Sequence, residues 1–168
     1  MRIGRILALL SSLFAFSLLL NFYVTGKDTQ KKIKNDVCSA SNPASICSAE
    51  NTCGSAASPC SIDIRRSAGS SATATPAITG AKSNKAFCIK TGTTVTFSSS
   101  SKDTGFVLDF GNSNPFDHEG AIMGGADRPI TVTARHPGCY TYSIGACTAG
   151  TIYGMCGDDV AQIVISDK

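Results

Sequence analysis

The chain has 168 residues, of which 42% are hydrophobic and 16% charged, with 15 Lys+Arg against 12 Asp+Glu, eight Cys and no Trp. That length excludes a large multidomain enzyme, and the low charge content, against ~25% in ordinary soluble domains, leaves Ser, Thr, Ala and Gly to form a polar, uncharged surface. From Cys60 onward nine basic side chains are balanced by nine acidic ones, so no field exists to attract nucleic acid or an anionic membrane surface.

Met1-Arg2-Ile3-Gly4-Arg5 is basic and precedes an apolar run from Ile6 to Leu20, broken only by small Ser and Ala. This is the layout of a secretory signal, with Val24-Thr25-Gly26 as a small-residue cleavage site. Continued to Val24 the run has nineteen residues, within reach of the ~20 that span hydrocarbon, so membrane anchoring through residues 6–24 is the second reading. Residues 1–26 are therefore assigned to a signal peptide or anchor, and both readings place residues 27–168 outside the cytoplasm. The cysteines agree with export. All eight, Cys38, Cys47, Cys53, Cys60, Cys88, Cys139, Cys147 and Cys156, follow the apolar run and their number is even, which predicts disulfides in an oxidising compartment. Structural zinc favours ligands two to four residues apart, and no Cys-x-x-Cys occurs.

Residues 27–59 hold few apolar side chains beyond Ile33, Val37 and Ile46 and carry Lys31, Lys32 and Lys34 before a Ser/Ala/Asn-rich tract with three cysteines. No core can be built from such a segment. It reads as a flexible tether whose distal part is stapled by disulfides, to itself or to the domain that follows. That domain, residues 60–168, opens with Ser61-Ile62-Asp63-Ile64-Arg65, whose alternation predicts a half-buried strand. Ser67 to Gly80, small residues with Pro76, reads as a loop. Strand signals follow at Phe87–Lys90 and Thr94–Phe97 around Thr91-Gly92, and at Phe106–Phe110. Asn112 to Asp127 reads as an irregular Gly-rich excursion. Pro129–Ala134, Cys139–Ile144 and Gln162–Ile165 complete a series of short strands with no stretch of helical period after residue 30, which predicts an antiparallel β-sandwich or barrel.

In their order these pieces resemble the cupredoxin family. The segments that carry the likeness are Ile89-Lys90-Thr91-Gly92-Thr93-Thr94-Val95-Thr96-Phe97, Phe106-Val107-Leu108-Asp109, Ile130-Thr131-Val132-Thr133, Pro137-Gly138-Cys139-Tyr140-Thr141-Tyr142 and Ile163-Val164-Ile165. The resemblance implies an all-β, antiparallel Greek-key β-sandwich over roughly residues 60–168. Blue-copper sites need two His, a Cys thiolate and a weak axial Met, and the family supplies one His just before its fourth strand and the remainder from a loop before its last. Here the first position falls at Gly105 or Phe106, the copper Cys position at Ile144, and no His follows Cys147. The resemblance therefore implies the fold without the copper, and no cofactor is expected. In the metal loop stand Gly145 to Cys156, and a Cys147–Cys156 disulfide there would replace the metal as the clamp. The competing reading of that loop is a soft Cys147/Met155/Cys156 site for monovalent copper. Cys88 and Cys139 join each other or reach back to Cys60 and the tether.

Other chemistry is sparse. Asp117-His118-Glu119, with Asp109 and Asp127 nearby, offers oxygen and imidazole groups, but the spaced calcium-loop pattern is absent and a solvated loop is the simpler reading. Two carboxylates could serve a small hydrolase, and Cys147 with His136 or His118 could form a nucleophile pair. Arg128 can pair with Asp127 or Asp109. Tyr140, Tyr142, Phe106, Phe110 and Phe116 read as core or loop anchors. The sequence thus predicts a non-enzymatic, exported, disulfide-stabilised module of the cell envelope with a protein or glycan ligand, against a copper-handling protein with a sulfur-rich site and a hydrolase using Asp117 and Glu119.

Overall fold

The computed structural model describes residues 33, 35–67, 70–78, 86–149 and 155–167, with the backbone alone at Met155. The expected signal or anchor lies outside these residues. Among the described residues no helix is long and apolar enough to cross a membrane.

Among the described residues ten strands form two mixed sheets: β1 (Thr52–Cys53), β2 (Cys60–Ser67), β3 (Ser71–Pro76), β4 (Ala86–Lys90), β5 (Thr94–Ser98), β6 (Thr104–Asp109), β7 (Ile122–Gly125), β8 (Ile130–Thr133), β9 (Gly138–Thr148) and β10 (Met155–Ser166). One sheet has the order β1-β4-β10-β9-β6-β7 and the other β3-β2-β5-β8. Alternation fixes their facing sides. In β2, Cys60, Ile62 and Ile64 are buried while Ser61 and Arg65 are exposed; in β6, Phe106 and Leu108 are buried while Gly105, Val107 and Asp109 are exposed. The buried rows of the two sheets, with Phe87, Phe97, Ile144 and Ile163, make one sandwich-like core.

The sheets are not purely antiparallel, as expected, but mixed. β2 runs parallel to β5, and β4 runs parallel to both β1 and β10. Alternation within a strand reports which face is buried and says nothing about the direction of its neighbour, so this was not readable from local pattern.

Three further corrections concern small residues. The tract read as a loop contains β3, in which Ala72, Ala74 and Pro76 alternate inward with Ser71, Thr73 and Thr75. Its side chains are small because β10 crosses it closely. A Cβ on Gly157 would lie 2.1 Å from the carbonyl oxygen of Ser71, and the Asp158 amide donates to the Ser70 carbonyl at 3.2 Å. The Gly-rich excursion contains β7, where a Cβ on Gly124 would meet the Phe106 ring at 2.6 Å and the Arg128 carbonyl oxygen at 2.7 Å. β10 begins seven residues before the Gln162–Ile165 signal, because pairing along the whole of β9 overrides the poor strand propensity of Gly157, Asp158 and Asp159.

The distal part of the 27–59 segment is fastened to the sheets. Cys38 is joined to Cys139, Cys47 to Cys88 and Cys53 to Cys60, so Cys88 and Cys139 reach separate partners in that segment instead of each other. On β4 and β10 the core-facing residues are Phe87, Ile89, Ala161, Ile163 and Ile165. Cys88, Gln162 and Val164 alternate with them and point outward, yet all three are buried. The N-terminal segment is what covers them, through the 3-10 turn Pro43–Ile46 and a polar clasp at Gln162. The Val37 amide donates to Gln162 Oε1 at 2.7 Å, and Gln162 Nε2 donates to Asp36 and to Thr141 Oγ1. A buried amide costs little when both its oxygen and its nitrogen are partnered in this way.

Candidate functional site

The β9–β10 hairpin is where the resemblance places a metal. Cys147 and Cys156 stand directly opposite each other in its ladder and are joined by a disulfide, with Cα atoms 4.0 Å apart. Joined sulfurs are not thiolates, so neither a copper centre nor a nucleophilic Cys147 can be assembled from them as they stand. The neighbouring ligand positions do not fit copper either. Gly105 has no side chain, whereas Phe106 and Ile144 face the core at 5% and 2% exposure. Among the described residues all eight cysteines are paired, and no three His, Cys, Asp or Glu side chains gather. His136 precedes the start of β9 while Cys147 is near its end, and the strand from Gly138 to Cys147 alone spans roughly 30 Å at ~3.3 Å per residue.

The Asp117 loop is built as a clip. The Thr133 amide donates to Asp117 Oδ1 at 2.6 Å, the Asp117 amide donates back to the Thr133 carbonyl at 3.1 Å, and Arg135 lies 3.6 Å from Oδ2. Chiefly the Thr133 amide, with a smaller pull from Arg135, holds the Asp117 carboxyl below the ordinary carboxylate range against a partial desolvation that pushes upward. Such a group stays ionised and is no general acid at neutral pH. Asn114 ties the same loop from both sides, accepting from the Phe116 amide at 3.0 Å and donating to the Gly120 carbonyl at 3.1 Å. His118 Nε2 lies 3.3 Å from the Ala121 carbonyl oxygen, and Glu119 is exposed.

At the β7–β8 turn, at the other end of the β6–β7 pair from this loop, an open cleft of about 330 Å³ is bordered by Asp103, Asp127 and Arg128, all exposed. Among the described residues no ion pair joins Arg128 to Asp127 or Asp109. Its main chain closes the turn instead, exchanging hydrogen bonds of 3.0 and 3.2 Å with Gly125. Among the described residues the exposed large apolar side chains are Met123, which lines the cleft, and Val107, at 61% and 38%.

The aromatic residues form a buried chain. Phe97 and Phe110 each meet the Phe116 ring edge-on with centroids 5.5 Å apart, and Phe110 stacks on Tyr142 at 4.7 Å. Among the described residues the Tyr142 hydroxyl has no hydrogen-bond partner, and burial pushes its pKa far upward. Tyr140 is different. Its hydroxyl donates back to the carbonyls of His136 at 3.0 Å and Pro137 at 3.3 Å, a tyrosine corner of the kind found where chains cross between sheets. Gly138 permits it, because φ there is +151° and a Cβ would lie 3.1 Å from the Tyr140 hydroxyl oxygen and 3.2 Å from its ring.

Sequence reasoning passed over Gln162, hidden in the apolar run Ala161–Ile165; Gly105 it read only as a position unable to ligate, and its place directly beside Cys147 appears once β6 and β9 are paired. The chain is an all-β, sandwich-like domain with four disulfides, a composition compatible with an oxidising compartment. No family model, curated protein or solved structure matches it.

Proposed function

We propose that the protein is an exported, non-enzymatic cupredoxin-like module of the cell envelope, held by disulfides and free of metal, that binds a protein or glycan partner. The observation that carries this reading is the Cys147–Cys156 bond, which takes the place of a metal as the clamp on the last hairpin. The segments of the resemblance support it by their placement: Thr94–Phe97 lies on β5, Phe106–Asp109 on β6, Ile130–Thr133 on β8, Cys139–Tyr142 on β9 and Ile163–Ile165 on β10. The chain passes from one sheet to the other between β5 and β6, between β7 and β8 and again between β8 and β9, crossings of the kind a Greek key uses. Export is supported by the four disulfides and the signal-like N-terminus.

The test is a thiol count on unreduced, unfolded protein, together with metal analysis after exposure to cupric and cuprous ions and gel filtration. Zero thiols and no retained copper are expected. Free Cys147 or Cys156 with stoichiometric copper would overturn the reading in favour of a sulfur-rich copper site.

A further inference from the structure

The four disulfides differ in what surrounds them. Cys53, Cys60 and Cys88 are buried, and Cys38–Cys139 anchors the segment whose Asp36 and Val37 clasp Gln162. Cys147 and Cys156 are both exposed. Directly paired residues of an antiparallel ladder share a face. Cys156 is paired with Cys147, Cys147 with Gly105 and Gly105 with Gly125, so one outward row across β10, β9, β6 and β7 consists of two cysteines followed by two glycines. A Cβ built on Gly105 would find only the Gly124 carbonyl oxygen, 3.8 Å away. Among the described residues the sulfurs are therefore approached over a lane without side chains.

We propose that Cys147–Cys156 is a thiol-exchange site whose substrate is a dithiol, while the other three bonds are structural. Exchange requires a thiolate to reach a disulfide sulfur, and Cys147 and Cys156 are both exposed, with a route that is open among the described residues. The thiolate of the dithiol bonds to one of the two sulfurs, the Cys147–Cys156 bond breaks, and its electron pair leaves on the other cysteine, which takes a proton. The second thiol of the reductant then loses its proton and attacks the reductant sulfur in the mixed disulfide. That closes a disulfide on the reductant and frees the second cysteine, so two electrons and two protons have passed to the protein. The hairpin survives the opening. Thr148 remains paired with Met155 and Ala146 with Gly157 on either side, so the sulfurs stay in register and the bond can close again. Opening Cys47–Cys88 would instead unfasten the cover over the outward face of β4 and β10.

The proposal shares with the proposed function the joining of Cys147 to Cys156, and is independent of the family resemblance. The chain purified from an oxidising compartment is treated with limiting dithiothreitol, trapped with iodoacetamide and mapped by peptide mass spectrometry. Cys147 and Cys156 are expected to label at least about tenfold faster than any other cysteine, with an unchanged circular dichroism spectrum and recovery of the bond in glutathione disulfide. Gly105→Leu, which roofs the lane, is expected to slow their labelling several-fold at unchanged melting temperature. Earlier opening of another pair, or simultaneous opening of all four with loss of structure, would overturn the proposal. A bond that is present but inert defeats the exchange site alone, whereas free thiols before any reductant defeat the proposed function as well.

Discussion

Removing disulfides one at a time should cost stability in the order of the loops they close. In the chain-entropy account a cross-link acts on the unfolded ensemble, and its contribution grows with the logarithm of the loop. Cys38–Cys139 spans 101 residues and Cys147–Cys156 spans 9. Those loops correspond to about 4.7 and about 2.6 kcal/mol at 25 °C. While Cys47–Cys88 is intact, the shortest path from Cys38 to Cys139 falls to about 60 residues, which trims the first figure to about 4.3 kcal/mol. The double variant Cys38→Ala/Cys139→Ala should therefore lose roughly 1.7 kcal/mol more than Cys147→Ala/Cys156→Ala. Urea unfolding of the two variants and the parent under non-oxidising, non-reducing conditions measures this directly, provided the slopes with denaturant are compared as well as the midpoints. Equal losses, or a larger loss for the hairpin pair, would refute the reasoning and show that native-state contacts around Cys147 and Cys156 dominate their contribution.

The two tyrosines of β9 should respond in opposite directions to loss of the hydroxyl. Tyr140→Phe gives up the bonds to His136 and Pro137 and should lower stability by about 1 kcal/mol, whereas Tyr142→Phe removes a buried hydroxyl without a partner and should leave stability equal or higher by up to about 1 kcal/mol; thermal melts of both test this. Gly157→Ala drives a methyl into the Ser71 backbone and should cost about 1–3 kcal/mol, read as a fall in melting temperature, since backbone on both sides must move. Asp117 has a folded pKa below its ordinary value of 3.8, so the stability it contributes is complete above that value and is lost as pH falls through the lower folded one. Asp117→Asn should accordingly be less stable than the parent at pH 7 and converge with it near pH 2, in melts run across that range.

Much of the architecture was legible in residue pattern because burying one face of a strand imposes a two-residue period. Ile62/Ile64, Val95/Phe97 and Phe106/Leu108 all carry it and all lie in the core. The same rule hid β3, where Ala72 and Ala74 keep the period with so little side chain that the tract resembles a loop. It also gave no warning of β1, two residues long and half of it a cysteine. At the candidate site the chemistry of single residues was readable, Gly105 and Ile144 being unable to hold a metal, while Asp117 became a backbone clip only when β8 was placed beside its loop.

Taken by itself, the sequence determined the all-β class, the inward residues of most strands, and the even set of cysteines, because each follows from local composition and periodicity. Tertiary structure alone decided which strands run parallel, which cysteines meet, and that residues 36–47 cover the outward face of β4 and β10. Those outcomes depend on pairings between segments far apart in the chain, and such pairings leave no periodic trace in either partner.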